Sequence, residues 1–303
     1  MYTIPPKKMV IINILDILKK YSDMDHRLTQ AQIIEILKKE YYMDVDRRTV
    51  KRNLMNLLDF DFGIDYTEII KKNEKGEEIP ICTDWYITRE FDDSEIRLLI
   101  DSVLFSKTIP QKQCKKLIDK LKGLSNIYFE KKVNHICSLP EIRPENKELF
   151  YTIDVLDEAI SKGKKVSFIY NSYGTDKKLH PKREREYVIN PYQMVATNGR
   201  YYLICNYDKY DTLSNYRIDR ITGIKMMNEK RESIKELKEG EINLPKHMAE
   251  HLYMFAGESI RVKFKAKNYI IDQIIDWFGF GPKITKQDED TCMVEVEVNE
   301  EAF

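Results

Sequence analysis

Between residues 164 and 228 the chain alternates short apolar and aromatic runs with polar turns, and this spacing constrains the fold more than any other feature. Short runs of β-branched and aromatic residues bounded by turn residues are typical of strands. Asn198-Gly199 separates two such runs, and this dipeptide is a strong signal for a tight hairpin. The pattern therefore indicates a small twisted sheet or a partly open barrel. The predicted strands cover residues 166–170, 187–195, 200–205 and 215–221.

Tyrosines and cations are interleaved along these predicted strands. Because successive side chains of a strand point to opposite faces, Arg217 and Asp219 would share one face. Tyr216 and Arg220 would share the other face. Tyrosine rings stack on bases and arginine pairs bidentately with phosphate, so such a surface suits a nucleotide or a single strand of nucleic acid. The residues that we expect to bind this ligand are Arg185, Tyr201, Tyr202, Arg217 and Arg220.

A structural role for the same residues is the alternative. Tyr202 and Leu203 would then belong to the core, and Arg220 would pair with a carboxylate such as Asp219 of a neighbouring chain. For the individual tyrosines, the sequence favours neither role over the other.

In the first ninety residues, apolar residues recur at helical spacing in three segments. Thr29 precedes Gln32 by three residues, which is the spacing of a capping box, and Asp46 is the expected N-cap of the third helix. Residues 66–71 and 79–87 then alternate as strands do. Three helices followed by a hairpin predict a winged helix-turn-helix.

The third of these predicted helices carries a cluster of cations near its start. Val50 and Leu54 would point inward, which leaves the cations largely on the other faces. The first turns of a recognition helix enter the major groove, where cations meet phosphates and base edges. An ordinary three-helix bundle with a basic surface helix is the alternative. The residues that we expect to contact DNA are Arg47, Arg48, Thr49, Lys51 and Arg52.

The charge composition limits the kind of partner. Lys and Arg total 50, as do Asp and Glu, so the chain is not a globally basic polyanion binder, although a local basic face is compatible with this balance. The basic excess falls in residues 151–228 and the acidic excess in residues 229–303. No apolar stretch is long enough to span a membrane, and the N-terminus lacks the pattern of a signal peptide. The 5 cysteines are widely spaced and never form C-x-x-C, which favours reduced thiols in a cytoplasm.

The remaining segments predict connections and one further small unit. Residues 91–160 show helical periodicity without recognisable chemistry, as expected of a spacer. Residues 258–303 predict a strand, a helix and a second strand. We expect an apolar face on this unit to pair two copies of the chain into a homodimer, as two-fold regulators that read two half-sites require. The residues assigned to this face are Ile260, Val262, Phe264 and Trp277.

One short motif suggests a metallopeptidase. Residues 247–251 fit H-x-x-E-H, in which two histidines four residues apart can chelate zinc. The pattern has few fixed letters, and a downstream third ligand is missing. No phosphate-binding loop, nucleophile elbow or catalytic carboxylate pair occurs elsewhere. We therefore expect no enzyme activity, no metal and no cofactor.

The strand region resembles the WYL domain, an Sm-like β-barrel found in bacterial regulators. The resemblance rests on the segments 190–195, 200–204 and 216–221, which read Asn-Pro-Tyr-x-x-Val, Arg-Tyr-Tyr-Leu-Ile and Tyr-Arg-Ile-Asp-Arg-Ile. In the second of these segments, a tyrosine at position 201 replaces the family's tryptophan. The basic residue that the family places before the proline matches Arg185 best, with Arg183 as the alternative.

The resemblance extends over nearly the whole chain, and residues 46–54 also resemble the recognition helix of DeoR-like regulators. It implies an α+β multidomain protein with the family's order of domains. These domains are a winged helix-turn-helix at 1–90, a helical linker at 91–160, the WYL domain at 161–228, a connector at 229–257 and a small ferredoxin-like C-terminal extension at 258–303. The extension is shorter than the usual pattern, so it is expected to be incomplete, minimal or completed by another subunit.

The function that the resemblance implies is transcription regulation. The first domain would bind double-stranded operator DNA, and the WYL domain would sense a nucleic-acid or nucleotide-like anionic ligand. The alternative is an accessory protein of a phage-defence system whose main task is to bind single-stranded RNA or DNA. The two functions differ in whether the first domain binds duplex DNA in a sequence-specific way.

Overall fold

The computed structural model describes residues 7–72, 75–133, 146–210, 212–233 and 259–299. The chain divides into two compact units, of which the first holds residues 1–104 and 112–140 and the second holds residues 105–111 and 141–303. Each unit combines helices with antiparallel strands, so the predicted α+β class is confirmed. Within the described ranges, no helix is both long enough and apolar enough to cross a membrane.

The first unit begins with three helices and a hairpin in the predicted order. These elements are α1 (Val10–Tyr21), α2 (Gln30–Tyr41), α3 (Arg47–Asp59), β1 (Ile64–Lys72) and β2 (Glu78–Ile87). The predicted capping box of α2 is present, with reciprocal hydrogen bonds between Thr29 and Gln32. Asp46 caps α3 by accepting the N–H of Thr49 at 2.8 Å. These caps satisfy backbone donors that a helix leaves unpaired, and they fix where α2 and α3 begin.

One hydrophobic core joins these helices to the hairpin. Ile14, Leu37 and Leu54, one from each helix, are fully buried, and Trp85 of β2 belongs to the same core. Leu28 and Trp85 exchange two backbone hydrogen bonds of 2.8 Å, which anchors β2 beside the turn before α2. Burial of each large apolar side chain contributes roughly 1.5–3 kcal/mol. This core therefore fixes the orientation of α3, and with it the direction in which the outward face of α3 points.

Three further helices complete the described part of the first unit: α4 (Asp93–Phe105), α5 (Gln111–Lys122) and α6 (Ile127–Val133). The periodicity of the sequence predicted α4 and α5. It did not predict α6, because seven residues are too few to establish a helical period. Asn126 caps α6 by accepting the N–H of Phe129 at 3.0 Å, and its amide nitrogen donates to Asp23.

The second unit contains a curled antiparallel sheet of six strands with a helix on one face. The helix is α7 (Leu149–Lys162), and the strands are β3 (Lys164–Tyr173), β4 (Leu179–Pro181), β5 (Tyr187–Thr197), β6 (Arg200–Asn206), β7 (Ser214–Arg217) and β8 (Ile221–Lys230). Their order is β4-β3-β5-β6-β7, and β8 also pairs with β3. The predicted hairpin turn joins β5 to β6, and both Asn198 and Gly199 have positive φ, as an Asn-Gly turn of this kind needs.

The sequence prediction of a continuous strand from 215 to 221 is wrong. The strand β7 ends at Arg217, a 3-10 turn occupies Ile218–Arg220, and β8 begins at Ile221. The break is required because β7 pairs with β6 whereas β8 pairs with β3. Alternation along a single strand therefore does not decide where the side chains of residues 218–220 point.

A buried lysine holds several strands of this sheet together. Lys165 of β3 donates to Asp208 at 2.7 Å and to Glu229 of β8 at 3.2 Å. Asp208 also accepts a hydrogen bond of 2.8 Å from Asn190 of β5. The network gives the buried ammonium group two carboxylate partners, which a charge in such a position requires.

The C-terminal part of the second unit holds β9 (Ser259–Lys267), α8 (Ile271–Phe278), β10 (Lys283–Lys286) and β11 (Thr291–Asn299), with strand order β10-β11-β9. The strand β10 was not predicted. The expected apolar face needs a correction, because Val262 and Phe264 pack into the core beneath α8. Ile260 and Trp277 are exposed. The connector and the motif at 247–251 lie outside the described residues, apart from residues 229–233.

Candidate functional site

Four tyrosines form a contiguous group in the curled sheet, and we call Tyr170, Tyr187, Tyr207 and Tyr216 the tyrosine cluster. The rings of Tyr170 and Tyr216 meet edge to face with 4.7 Å between their centroids, and the Tyr187 ring lies 5.6 Å from that of Tyr216. The hydroxyls of Tyr207 and Tyr216 share a hydrogen bond of 2.8 Å. Tyr170 and Tyr187 are buried, whereas Tyr207 and Tyr216 reach solvent. The cluster therefore links the core of the sheet to its surface.

Burial favours the protonated form of three phenols of the cluster. It raises the pKa of Tyr170, Tyr207 and Tyr216, because a buried phenolate would lose the hydration that stabilises its charge. The backbone N–H of Arg217 donates to the Tyr170 hydroxyl at 3.3 Å. A neutral phenol is able both to donate and to accept a hydrogen bond. The hydroxyls of the cluster can therefore donate to an anion.

Arg183 lies directly on the tyrosine cluster. Its guanidinium carbon is 3.3 Å from the centroid of the Tyr187 ring and 5.6 Å from that of the Tyr207 ring. One terminal nitrogen donates to the Tyr207 hydroxyl at 3.4 Å. The Nε–H is buried and has no acceptor within the described part of the chain. Arg185, which the sequence favoured for this position, is exposed.

Arg220 approaches the same cluster from the 3-10 turn. Its guanidinium carbon lies 5.8 Å from the centroid of the Tyr173 ring. Its charge also opposes the effect of burial on the pKa of Tyr170, which places the guanidinium near that hydroxyl. Like Arg183, it has a buried Nε–H for which the described residues supply no acceptor. Arg183 and Arg220 therefore both lie beside the tyrosine cluster, and each has an Nε–H that is unpaired among the described residues.

Arg217 has a different environment from Arg220. Its guanidinium forms two hydrogen bonds with the carboxylate of Asp219, which is only 1% exposed. Tyr202 is the cross-strand partner of Arg217 and lies in a small apolar cluster with Tyr192, Val195, Ile204 and Leu213. In the alternative structural role, Arg220 would pair with a carboxylate such as Asp219 of a neighbouring chain, whereas within this chain Asp219 pairs with Arg217.

Tyr201 and Tyr202 point to opposite faces of β6. Tyr201 packs on the core beneath α7, and its pKa is raised by burial and by the nearby charge of Asp157. The structure thus brings together Tyr202 and Arg217 from the predicted ligand set, and it places Tyr201 on the other face. The sequence did not single out Tyr170 or Tyr207, although their spacing within aromatic runs marks them as candidates for such a cluster.

The predicted DNA-contacting residues lie together on the first turns of α3. Arg47, Arg48, Lys51 and Arg52 are exposed, and Thr49 is half-buried. Arg47 is partly fixed, since its Nε donates to Gln30 at 2.8 Å, and the Thr49 hydroxyl donates to the capping carboxylate of Asp46 at 3.1 Å. Lys51 and Arg52 make no ion pair with any described residue. Their cationic groups are therefore available to a polyanion.

The described residues contain no group of three or more metal-ligating side chains placed to hold an ion. Residues 247–251, which carry the H-x-x-E-H motif, lie outside the described residues. The expectation that the chain binds no metal stays a prediction.

Comparison with known proteins gives one domain assignment. Residues 151–226, from within α7 to within β8, match the model of the WYL domain. The chain is also similar to proteasome accessory factor B/C (PafBC) of Arthrobacter aurescens, with 10% identity and a TM-score of 0.30 over 98% of this chain and 46% of that one. The chain thus spans about half the length of this relative. A search of curated proteins found no match.

Proposed function

We propose that this chain is a transcription regulator that binds duplex DNA through its first unit and senses an anionic, nucleotide-like or oligonucleotide ligand through its WYL domain. The observation that carries the ligand half is the pair of arginines at the tyrosine cluster. Arg183 and Arg220 each keep a buried Nε–H that finds no acceptor among the described residues. Buried donors are nearly always paired, so an acceptor supplied by a ligand would complete both.

The donors at this position suit a phosphate group. Arginine presents a planar fork that matches phosphate oxygens, and neutral tyrosine hydroxyls add further donors. The half-buried rings of Tyr207 and Tyr216 offer apolar surface beside these charges. A base stacked on such a ring typically contributes about 1–3 kcal/mol. The ligand contacts proposed here are therefore Arg183 and Arg220 rather than Arg185 and Arg217.

The DNA-binding half rests on α3. Its outward cations lie at the N-terminal end of a helix that is capped by Asp46 and backed by buried Val50 and Leu54. We propose that residues 7–87 act as a winged helix-turn-helix with α3 as the recognition helix and β1–β2 as the wing.

The proposal also covers the rest of the chain. In it, the curled sheet is an Sm-like barrel and residues 259–299 are a ferredoxin-like unit. The protein is proposed to be a cytoplasmic homodimer without enzyme activity.

The ligand proposal is tested by titrating labelled short single-stranded DNA and RNA against the full-length protein at several salt concentrations. Arg183→Ala and Arg220→Ala should each weaken binding and flatten its dependence on salt, because fewer phosphate contacts release fewer counterions. Arg185→Ala is the matched control and should bind almost as the unmodified protein does. Equal binding by all three variants would contradict the assignment of this site.

Duplex binding separates this function from the phage-defence accessory role. A regulator should select one duplex sequence over random duplex DNA at the same salt concentration, whereas an accessory protein should bind single strands without such selection. Binding-site selection from a random duplex library, followed by sequencing, measures this directly. Enrichment of a two-fold symmetric site would favour the regulator, and a library that stays unenriched would favour the accessory protein.

A further inference from the structure

The helix α5 presents a row of lysines that the proposed function does not use. Lys112, Lys115, Lys116 and Lys120 are exposed, and we call them the lysine face. The opposite side of α5 is anchored in the first unit, where Cys114 and Ile118 are buried. The anchoring fixes the direction in which the lysine face points, because the two sets of residues alternate at helical spacing.

The lysine face is only partly offset by negative charge, since the exposed carboxylate of Asp119 lies on the same side of α5, near Lys115 and Lys116. None of the four forms an ion pair with a carboxylate of the described residues. Lys112 and Lys116, and likewise Lys116 and Lys120, are four residues apart, so their like charges are neighbours on the helix surface and repel. Lys112 also lies in the first turn, where the helix dipole disfavours a cation. An external polyanion would relieve both of these unfavourable interactions.

We propose that the lysine face is a second contact of the first unit with the phosphate backbone of duplex DNA. Lys112 and Lys120 are eight residues apart, which corresponds to about 12 Å along the helix. Phosphates on one strand of B-DNA follow one another at about 3.4 Å along the axis, so the face covers a run of about four phosphates. Such contacts hold the protein on any DNA sequence and carry no sequence preference of their own.

Nucleic acid is the favoured partner because α5 and α3 belong to the same compact unit. The exposed Lys51 and Arg52 of α3 also lack ion-pair partners among the described residues, so the unit carries two separate sets of available cations. A duplex bound by α3 brings a high density of phosphate close to this unit. The inference rests on the proposed DNA-binding function in this respect.

The test measures binding of random-sequence duplex DNA to the full-length protein over a range of salt concentrations. The triple variant Lys112→Gln, Lys116→Gln and Lys120→Gln should lower the slope of log affinity against log salt by about two to three, at roughly 0.9 per lost phosphate contact. The corresponding Lys→Arg triple variant keeps the charges and should retain the slope. Thermal unfolding of both triple variants reports whether the helix stays folded.

Parallel measurement of Arg48→Ala with Arg52→Ala separates the two hypotheses. If this α3 variant loses binding while the Lys→Gln variant keeps the full slope, the inference about α5 is overturned and the proposed function stands. If the Lys→Gln variant loses slope while the α3 variant binds random duplex DNA normally, the lysine face is supported and the cations of α3 supply no phosphate contacts to random duplex. Absence of duplex binding by the unmodified protein would overturn both. Binding of the same variants to phosphatidylserine vesicles is measured in parallel. If the Lys→Gln variant keeps its duplex binding and loses only its binding to these vesicles, the lysine face contacts a membrane and the inference is overturned.

Discussion

Arg217 and Asp219 form a bidentate ion pair within the curled sheet, with donor–acceptor distances of 3.0 and 2.6 Å. Asp219 lies in the 3-10 turn between β7 and β8, so the pair ties the end of β7 to this turn. Arg220 is the next residue of the same turn. An ion pair that does not itself contact the ligand can therefore control where a proposed ligand contact sits.

Arg217→Met should destabilise the protein strongly. It leaves the carboxylate of Asp219 buried without a cation, and breaking one side of a buried pair costs about 3–5 kcal/mol. The double variant Arg217→Met with Asp219→Asn leaves no buried charge and should lose much less. Urea unfolding of the unmodified protein, both single variants and the double variant measures this. A loss in the double variant equal to the sum of the two single losses would show that the pair contributes no coupling free energy.

Acid should remove the stabilisation contributed by Asp208. The hydrogen bond from Lys165 holds the pKa of Asp208 below its usual 3.8. Because the folded pKa lies below the unfolded one, the stabilisation is fully present above the unfolded pKa and is lost as the pH falls through the folded pKa. Asp208→Asn should therefore be less stable than the unmodified protein at neutral pH, and the two should converge in acid. Unfolding midpoints over this pH range check the effect, with Asp154→Asn on the exposed side of α7 as control.

Arg48→Ala combined with Arg52→Ala should abolish sequence-specific duplex binding and leave the fold intact. Each lost base-edge contact should cost about 1–3 kcal/mol of binding free energy. Lys38→Ala combined with Lys39→Ala removes the same charge from the C-terminal end of α2 and should affect specificity far less. Electrophoretic mobility shift with a selected site at constant salt measures both variants. A retained preference for the site in the first variant would remove α3 from the recognition role.

Trp277→Ser combined with Phe280→Ser should weaken the predicted homodimer. These side chains are 62% and 93% exposed in the single chain, and exposed aromatic residues are typical anchors of protein interfaces. Met24→Ser, which changes an exposed apolar residue of the first unit, is the control. Sedimentation equilibrium should show a dimer for the control and a weakened dimer for the aromatic variant. A monomeric unmodified protein would contradict the prediction.

The elements that local chemistry determines were predictable from the sequence. The start of α2 follows from the capping pair Thr29 and Gln32, and the β5–β6 turn follows from Asn198-Gly199. Both signals act within a few residues, so no tertiary information is needed to read them. The basic cluster on α3 is exposed for the same reason, because burial of Val50 and Leu54 fixes the direction of the remaining side chains.

The candidate ligand site depends on long-range pairing and was predicted only in part. Residues 182–186 adopt no regular structure, so no period distinguishes Arg183 from Arg185 in the sequence. The break at residues 218–220 arises because β8 must reach β3, which a local pattern does not reveal. Arg220 was predicted as a ligand residue, but the turn that sets its direction was not. Short elements such as β10 and α6 give too few residues for a pattern.

The pairing of β8 with β3 also determines the order in which this domain can fold. Val166 pairs with Met226, and β4 to β7 lie between them in the chain. Contacts of such large sequence separation form late, since loop-closure entropy is lost before the contact stabilises the chain. Arg183 precedes β5 and Arg220 immediately precedes β8. During synthesis on the ribosome the two arginines can therefore meet at the tyrosine cluster only after the chain through β8 has emerged, so the proposed ligand would bind only to a completed domain.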